Sequence, residues 1–204
     1  MKLTSMKSLT IIPLALFTIL YSTAHAQTDI PKGKQGTITL IDGRVVSGSI
    51  RDNIRSKASV TFINAAGKKK SYDGSNLLSA EVEGVKFLCV SGDFFRVISD
   101  GTLHFLQKSS DASGKVSFNG NIPMLMSGTG GKRGDYFIYV STNKQLNWVS
   151  KKNFIEVTAA IFAGNAAAIN KARSVNGDLP RLKEAVDTYN NTLTNQNTLS
   201  SSNK

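Results

Sequence analysis

Cysteine is almost missing from this chain. Cys89 is alone among 204 residues, so no intramolecular disulfide can form and no thiolate metal centre can be assembled. Histidine is nearly as scarce: of the two present, His25 falls in the first 26 residues, which leaves His104 for everything that follows. One histidine excludes most metal sites and makes a Ser-His-Asp arrangement hard to build. Acidic residues are also thin, 14 against 25 lysines and arginines, for a formal charge of +11. An excess of that sign favours anionic partners, among them lipopolysaccharide phosphates, acidic glycans and extracellular nucleic acid. The cations are nevertheless scattered in short clusters, Lys68-Lys69-Lys70, Lys132-Arg133 and Lys151-Lys152, and much of the excess serves solubility.

Long apolar runs are absent too. The longest spans residues 9–21, short of the roughly 20 residues a bilayer-spanning helix needs. Its setting gives it another meaning. Lys2 and Lys7 precede it and Ala24-His25-Ala26 follows it, the three-part pattern of a secretory signal peptide cleaved after Ala26. The expected product starts at Gln27, is periplasmic or secreted, has no transmembrane span and carries +9 once Lys2 and Lys7 have left. Residue 27 is glutamine, so Cys89 cannot be a lipobox cysteine. Its neighbours Phe87, Leu88 and Val90 predict a small buried hydrophobe.

What remains is rich in strand-forming residues. After a flexible leader at 27–35, β-branched and aromatic segments separated by Gly, Asn, Asp and Ser predict strands over 37–41, 44–50, 58–64, 69–72, 77–83, 85–90, 94–99, 102–108, 115–118, 136–141 and 146–149. Two Asp-Gly turns allow the register to be argued. A two-residue turn at Asp42-Gly43 would mix Ile38 and Leu40 with Ser47 and Ser49. A three-residue loop, Ile41-Asp42-Gly43, instead gathers Ile38, Leu40, Val46, Gly48 and Ile50 on one face. The same loop at Ser99-Asp100-Gly101 would group Phe95, Val97, Leu103 and Phe105, with Arg96 and His104 opposite.

Beyond Trp148 the apolar period changes from two to about 3.6. Ser150 is a candidate N-cap, Phe154, Val157, Ile161 and Phe162 form a stripe, and Gly164 can interrupt the helix before residues 166–172. A further helix starts at Asp178 with Pro180 in its first turn and buries Leu182, Val186, Tyr189 and Leu193. The expected order is a β-rich domain at 36–149, a helical segment at 150–193 packed on it, and a polar disordered tail at 194–204. The fold class is α+β: a curved, mostly antiparallel sheet, or an SH3-like barrel at its N-terminal side, covered by C-terminal helices.

Chemistry-bearing constellations are few. Glu81 and Glu83 share one face of a strand, whereas a glycosidase needs carboxylates on opposite sides of a sugar. The segment Gly128-Thr129-Gly130-Gly131-Lys132-Arg133-Gly134 invites a phosphate-loop reading and fails it, because Met126 stands where the first glycine belongs and Arg133 replaces the Ser or Thr. It is still the preferred contact site, read as a mobile loop. Glycines let a ligand reach the backbone, and Lys132 and Arg133 beside Gly130 and Gly131 supply charge. No catalytic residue, metal ligand or cofactor is assigned.

The stretch from Gly36 to Ile50, with Gly48 in its second strand, resembles the bent hairpin of SH3-like and Sm-like barrels. The chain from 36 to 191 resembles uncharacterised exported proteins of Bacteroidota. That likeness rests on the Gly36-Thr37-Ile38-Thr39-Leu40-Ile41-Asp42-Gly43 opening, Phe94-Phe95-Arg96-Val97-Ile98-Ser99-Asp100-Gly101, Lys151-Lys152-Asn153-Phe154 and the helix from Asp178-Leu179-Pro180 to Tyr189-Asn190. It implies an envelope or secreted location and no particular activity. The expected function is a non-catalytic interaction protein that meets an envelope protein or anionic glycan, with no role for intracellular nucleic acid. The alternatives are a hydrolase of cell-wall or glycan material and an anion-binding protein for lipopolysaccharide or acidic glycan.

Overall fold

The computed structural model describes residues 33–119 and 122–201. Residues 1–26, read above as a signal peptide, and most of the expected leader at 27–35 lie outside the described residues. Ten strands form one open antiparallel sheet: β1 (Lys34–Leu40), β2 (Val45–Asn53), β3 (Ser59–Ile63), β4 (Lys69–Asp73), β5 (Leu77–Val82), β6 (Val85–Val90), β7 (Asp93–Ser99), β8 (Leu103–Lys108), β11 (Tyr136–Val140) and β12 (Gln145–Val149). Their spatial order is β12-β11-β8-β7-β6-β5-β1-β2-β3-β4. The ends β12 and β4 are not paired with each other, so the sheet does not close and the SH3-like barrel alternative is corrected. A separate two-stranded ribbon, β9 (Val116–Asn119) and β10 (Ile122–Leu125), interrupts the run between β8 and β11. A single helical turn, α1 (Ile54–Lys57), links β2 to β3, and α2 (Phe154–Ile161), α3 (Ala166–Val175) and α4 (Leu182–Ser201) follow the sheet. The fold is α+β, with the helices packed on the C-terminal half of the sheet.

The first Asp-Gly hairpin adopts the register that its apolar pattern requires. Ile38 pairs with Val46 and Thr39 with Val45, leaving Leu40 to donate its amide to the Arg44 carbonyl at 2.9 Å across the three-residue loop. Gly43 sits at φ +84°, the left-handed conformation that closes such a loop. Ile38 and Ile50 are buried with Val60, Leu77, Val82, Phe87 and Phe94 in the N-terminal core.

The second hairpin departs from expectation. Val97 pairs with Leu106 and Ser99 with Phe105, with a bulge at Ile98, so the loop is longer than Ser99-Asp100-Gly101. Phe95 and Val97 pack with Leu106 and Phe137, while Leu103 and Phe105 join Ile138, Phe162 and Leu182 under the helices. The grouping of Phe95 and Val97 with Leu103 and Phe105 is therefore corrected. Both faces of the sheet are covered here, and a run buried on both sides contains no polar face to set the register.

Helix boundaries follow local chemistry. Asn153, not Ser150, occupies the N-cap position of α2, and its Oδ1 accepts from the Ser150 amide and hydroxyl at 2.7 and 2.9 Å. Gly164 at φ +79° ends that helix, and Asn165 Oδ1 caps α3 by accepting from the Ala168 amide at 3.0 Å. Leu182, Ala185 and Val186 of α4 are buried, as the 3.6-residue stripe requires. Composition argued for a tail from residue 194, yet α4 continues to Ser201. Thr192 and Thr194 donate their hydroxyls to the Thr188 and Asn190 carbonyls four residues back, which keeps polar side chains compatible with the helix.

Candidate functional site: the 128–134 loop on a buried ion pair

Asp93 opens β7 and Lys108 ends β8, and both side chains are 0% exposed. Their charges meet at 3.1 Å between Lys108 Nζ and Asp93 Oδ2. Isolated burial of either charge would be costly, so the surroundings must complete the shells. Asp93 Oδ1 accepts from the Ala112 amide at 2.7 Å and the Ser110 hydroxyl at 3.2 Å. Its Oδ2 accepts from the Thr129 amide and hydroxyl at 2.8 and 2.7 Å. Lys108 Nζ donates to three successive carbonyls, Thr129 at 2.7 Å and Gly130 and Gly131 at 3.3 Å each.

The glycine-dense segment is thus anchored from beneath, which corrects its reading as a mobile loop. Glycine is required at two points. Gly128 lies at φ +64° with the Ser113 hydroxyl 2.5 Å from where a Cβ would stand, and Gly131 lies at φ +76° against Phe137 and Asp135. Asp135 closes the far end by accepting from the Lys132 amide at 2.8 Å, and the Gly134 amide returns to the Lys108 carbonyl at 2.8 Å.

The inward carbonyls have an outward consequence. No described peptide is cis, and in a trans peptide the N–H points opposite to the C=O. With the Thr129 and Gly130 carbonyls turned down onto Lys108, the amides of Gly130 and Gly131 point away from it. Successive outward amides present positive partial charge on that side of the loop. Lys132 and Arg133 follow directly and are exposed. Arg133 also donates to the Arg55 carbonyl at 2.7 Å, which places the loop against α1 and its cations Arg55 and Lys57. The four residues singled out from the sequence, Gly130, Gly131, Lys132 and Arg133, lie together because they are consecutive, and the structure sets them on this anchored turn. It adds Arg55, 78 residues away in sequence, and the Asp93–Lys108 pair that shapes the backbone. The pair had no signal in the sequence beyond two ordinary charges at strand ends.

Other candidates fall elsewhere. His104 is half-buried against Tyr139, with ring centroids 5.7 Å apart and Nδ1 2.7 Å from Asp100 Oδ1. Burial holds its pKa below the ordinary value, outweighing the attraction of Asp100. Cys89 is half-buried against the N-terminal core, and burial, with a smaller push from Asp73, drives its thiol pKa far up. Glu81 and Glu83 are exposed, and Glu83 pairs with Lys34 at 2.7 Å. A cavity of about 840 Å³ lies among α2, α3 and the turn before α4, lined by Phe154, Ile155, Ile169 and Leu179 with Lys151, Arg173 and Asp178 at polar positions. Large apolar cavities are the usual first choice for a small-molecule site. This one holds no nucleophile–base pair, and Asp178 is engaged as a helix cap by the Arg181 amide at 3.3 Å. Among the described residues no group of three or more His, Cys, Asp or Glu side chains is placed to hold a metal ion. Compared with protein-family models, curated proteins and solved structures, the chain finds no match.

Proposed function

We propose that this chain is a non-catalytic interaction protein of the envelope or secreted space, and that it recognises an anionic partner, such as an acidic glycan or lipopolysaccharide phosphate, through residues 130–133. The observation that carries this reading is the buried Lys108 ammonium beneath the loop. By holding the Thr129, Gly130 and Gly131 carbonyls inward it directs the Gly130 and Gly131 amides outward beside Lys132 and Arg133. Backbone amides and fixed cations on a rigid support are what an anion needs, since little ordering entropy is spent on binding. Export rests on the 1–26 segment and on the resemblance to exported proteins.

The test is retention of the mature chain on heparin and on immobilised lipopolysaccharide under a salt gradient. The expected outcome is salt-sensitive retention, with Lys132→Ala/Arg133→Ala eluting earlier and melting unchanged. Passage of the wild type through both resins at low salt overturns the proposal. A panel of chromogenic glycosides and cell-wall substrates tests the hydrolase alternative, and turnover on any of them would replace this reading.

A further inference from the structure

The β9–β10 ribbon presents one exposed apolar face, and its other face is tied to the body through Ser117, which is buried and donates its hydroxyl to Asp73 at 2.8 Å. Register puts Phe118 opposite Pro123 and Val116 opposite Leu125, so these four share one face, while Met124 opposite Ser117 lies on the other. Val116, Phe118, Ile122, Met124 and Leu125 are between 53% and 76% exposed. An exposed apolar face with cations beside it suits a lipid interface, where apolar burial and attraction to anionic headgroups act together.

Charge surrounds the ribbon as well. At its base, Met126 packs on Ala58 and Ala112, and Ala58 directly follows the α1 cations Arg55 and Lys57. Arg133 reaches the same turn through the Arg55 carbonyl. On the other side, Phe118 shares a groove of about 440 Å³ with Lys70 of β4, the open edge of the sheet. The acids lining that groove are already engaged: Asp42 pairs with Arg44 at 2.7 Å, and Asp73 accepts from the Ser75 amide and Ser117 hydroxyl at 2.9 and 2.8 Å.

We propose that the β9–β10 ribbon is a wedge that inserts into the interface of an anionic lipid membrane, with Arg55, Lys57, Lys70, Lys132 and Arg133 meeting the headgroups around it. This deepens the anion-binding reading and rests on it for the role of Lys132 and Arg133. No described helix is long and apolar enough to cross a membrane, and a two-stranded ribbon cannot satisfy its own edges in hydrocarbon, so the attachment is interfacial. Membrane affinity then scales with the apolar area inserted and with attraction to anionic lipid.

The mature chain is to be sedimented with vesicles of equimolar phosphatidylglycerol and phosphatidylcholine and with vesicles of phosphatidylcholine alone, beside the heparin assay. The expected result is binding to the anionic vesicles and loss of about tenfold or more in affinity for Phe118→Asp/Leu125→Asp, with heparin retention and melting unchanged. In a Trp148→Phe background, Phe118→Trp should give a blue-shifted emission on vesicle addition that brominated lipid quenches. Heparin retention without vesicle binding overturns the wedge and leaves the anion reading standing, whereas failure in both assays overturns both. Equal binding to the two vesicle types, or no blue shift, also overturns it. Self-association that Phe118→Asp/Leu125→Asp abolishes, in a wild type that ignores vesicles, would assign the ribbon to a second copy of the chain and likewise overturn the proposal.

Discussion

At the scale of single residues, the Asp93–Lys108 pair is the feature on which most else depends. Removing one member of a buried pair leaves the other charge without compensation and costs about 3–5 kcal/mol. Lys108→Met should therefore destabilise strongly in urea, and it should also free three loop carbonyls. Asp93→Asn keeps the shape and some acceptors but strands the ammonium. A double Asp93→Asn/Lys108→Met chain should recover part of the loss, because the desolvation penalty of both charges disappears together. Strict additivity of the two single effects in chemical denaturation would contradict the pairing. His104 provides a separate handle. Its folded pKa lies below the ordinary histidine value, first through burial, so the unfolded chain takes up a proton more readily. Stability is then fully present above about pH 6.5, the unfolded value, and is lost as pH falls through the lower folded value. Asp100, held below the usual carboxylate range by Lys86 and His104 against the opposing effect of its own burial, acts only at more acidic pH. His104→Gln should flatten the slope of melting temperature against pH just below neutrality and leave the strongly acidic limb in place. An unchanged slope would show that some other group titrates there.

At the scale of elements, α4 is held to the sheet by an amide as well as by apolar burial. Asn190 Oδ1 accepts from the Leu103 amide at 3.0 Å and its Nδ2 donates to the Leu103 carbonyl at 2.9 Å, so one side chain completes the backbone of the first β8 residue. Asn190→Ala should cost about 1–3 kcal/mol, the penalty for leaving backbone groups unpaired in a half-buried place. Amide exchange at Leu103 should accelerate at the same time. A mutant with wild-type protection at Leu103 would show that the contact is dispensable. These contacts also explain how far the sequence could be read. The Ile41-Asp42-Gly43 loop was legible because β1 and β2 alternate apolar with polar, so one register alone closes the core. Around Asp100 the alternation signal fails: Phe95 and Val97 serve one core cluster, Leu103 and Phe105 the other. β10 escaped because Ile122-Pro123-Met124-Leu125 does not alternate and contains a proline, which argues against a strand. The loop at 128–134 was legible from its glycines and cations. The ion pair that shapes it was not, because a charge at a strand end reads as solvated until its partner's position is known.

At the scale of the whole molecule, one sheet carries two large cores, with smaller clusters beside them. Ile38, Ile50, Val60, Leu77 and Phe94 form one around the N-terminal strands, and Phe105, Ile138, Phe162, Leu182 and Val186 form another beneath the helices. Adjacent strands β7 and β8 connect them. Phe94 belongs to the first core, Phe95 packs with Phe137 and Leu106 at a ring separation of 5.1 Å, and Asp93 joins β7 to the end of β8. That continuity should make the two halves unfold together, because neither can leave without exposing the shared strands to water. Phe162 tests it. It is fully buried in the helical core, with its ring 5.8 Å from that of Tyr189, and Phe162→Ala should cost about 3–5 kcal/mol, a large share of the 5–15 kcal/mol typical of a folded domain. Trp148 reports on β12 at one end of the sheet, and far-UV circular dichroism reports on the whole. For the wild type and for Phe162→Ala the two signals should move in one transition, displaced to lower denaturant in the variant. If Trp148 emission instead changes first while most of the sheet signal persists, the helical end is a separate unfolding unit, and the link through Asp93 and Lys108 does not bind the two cores into one.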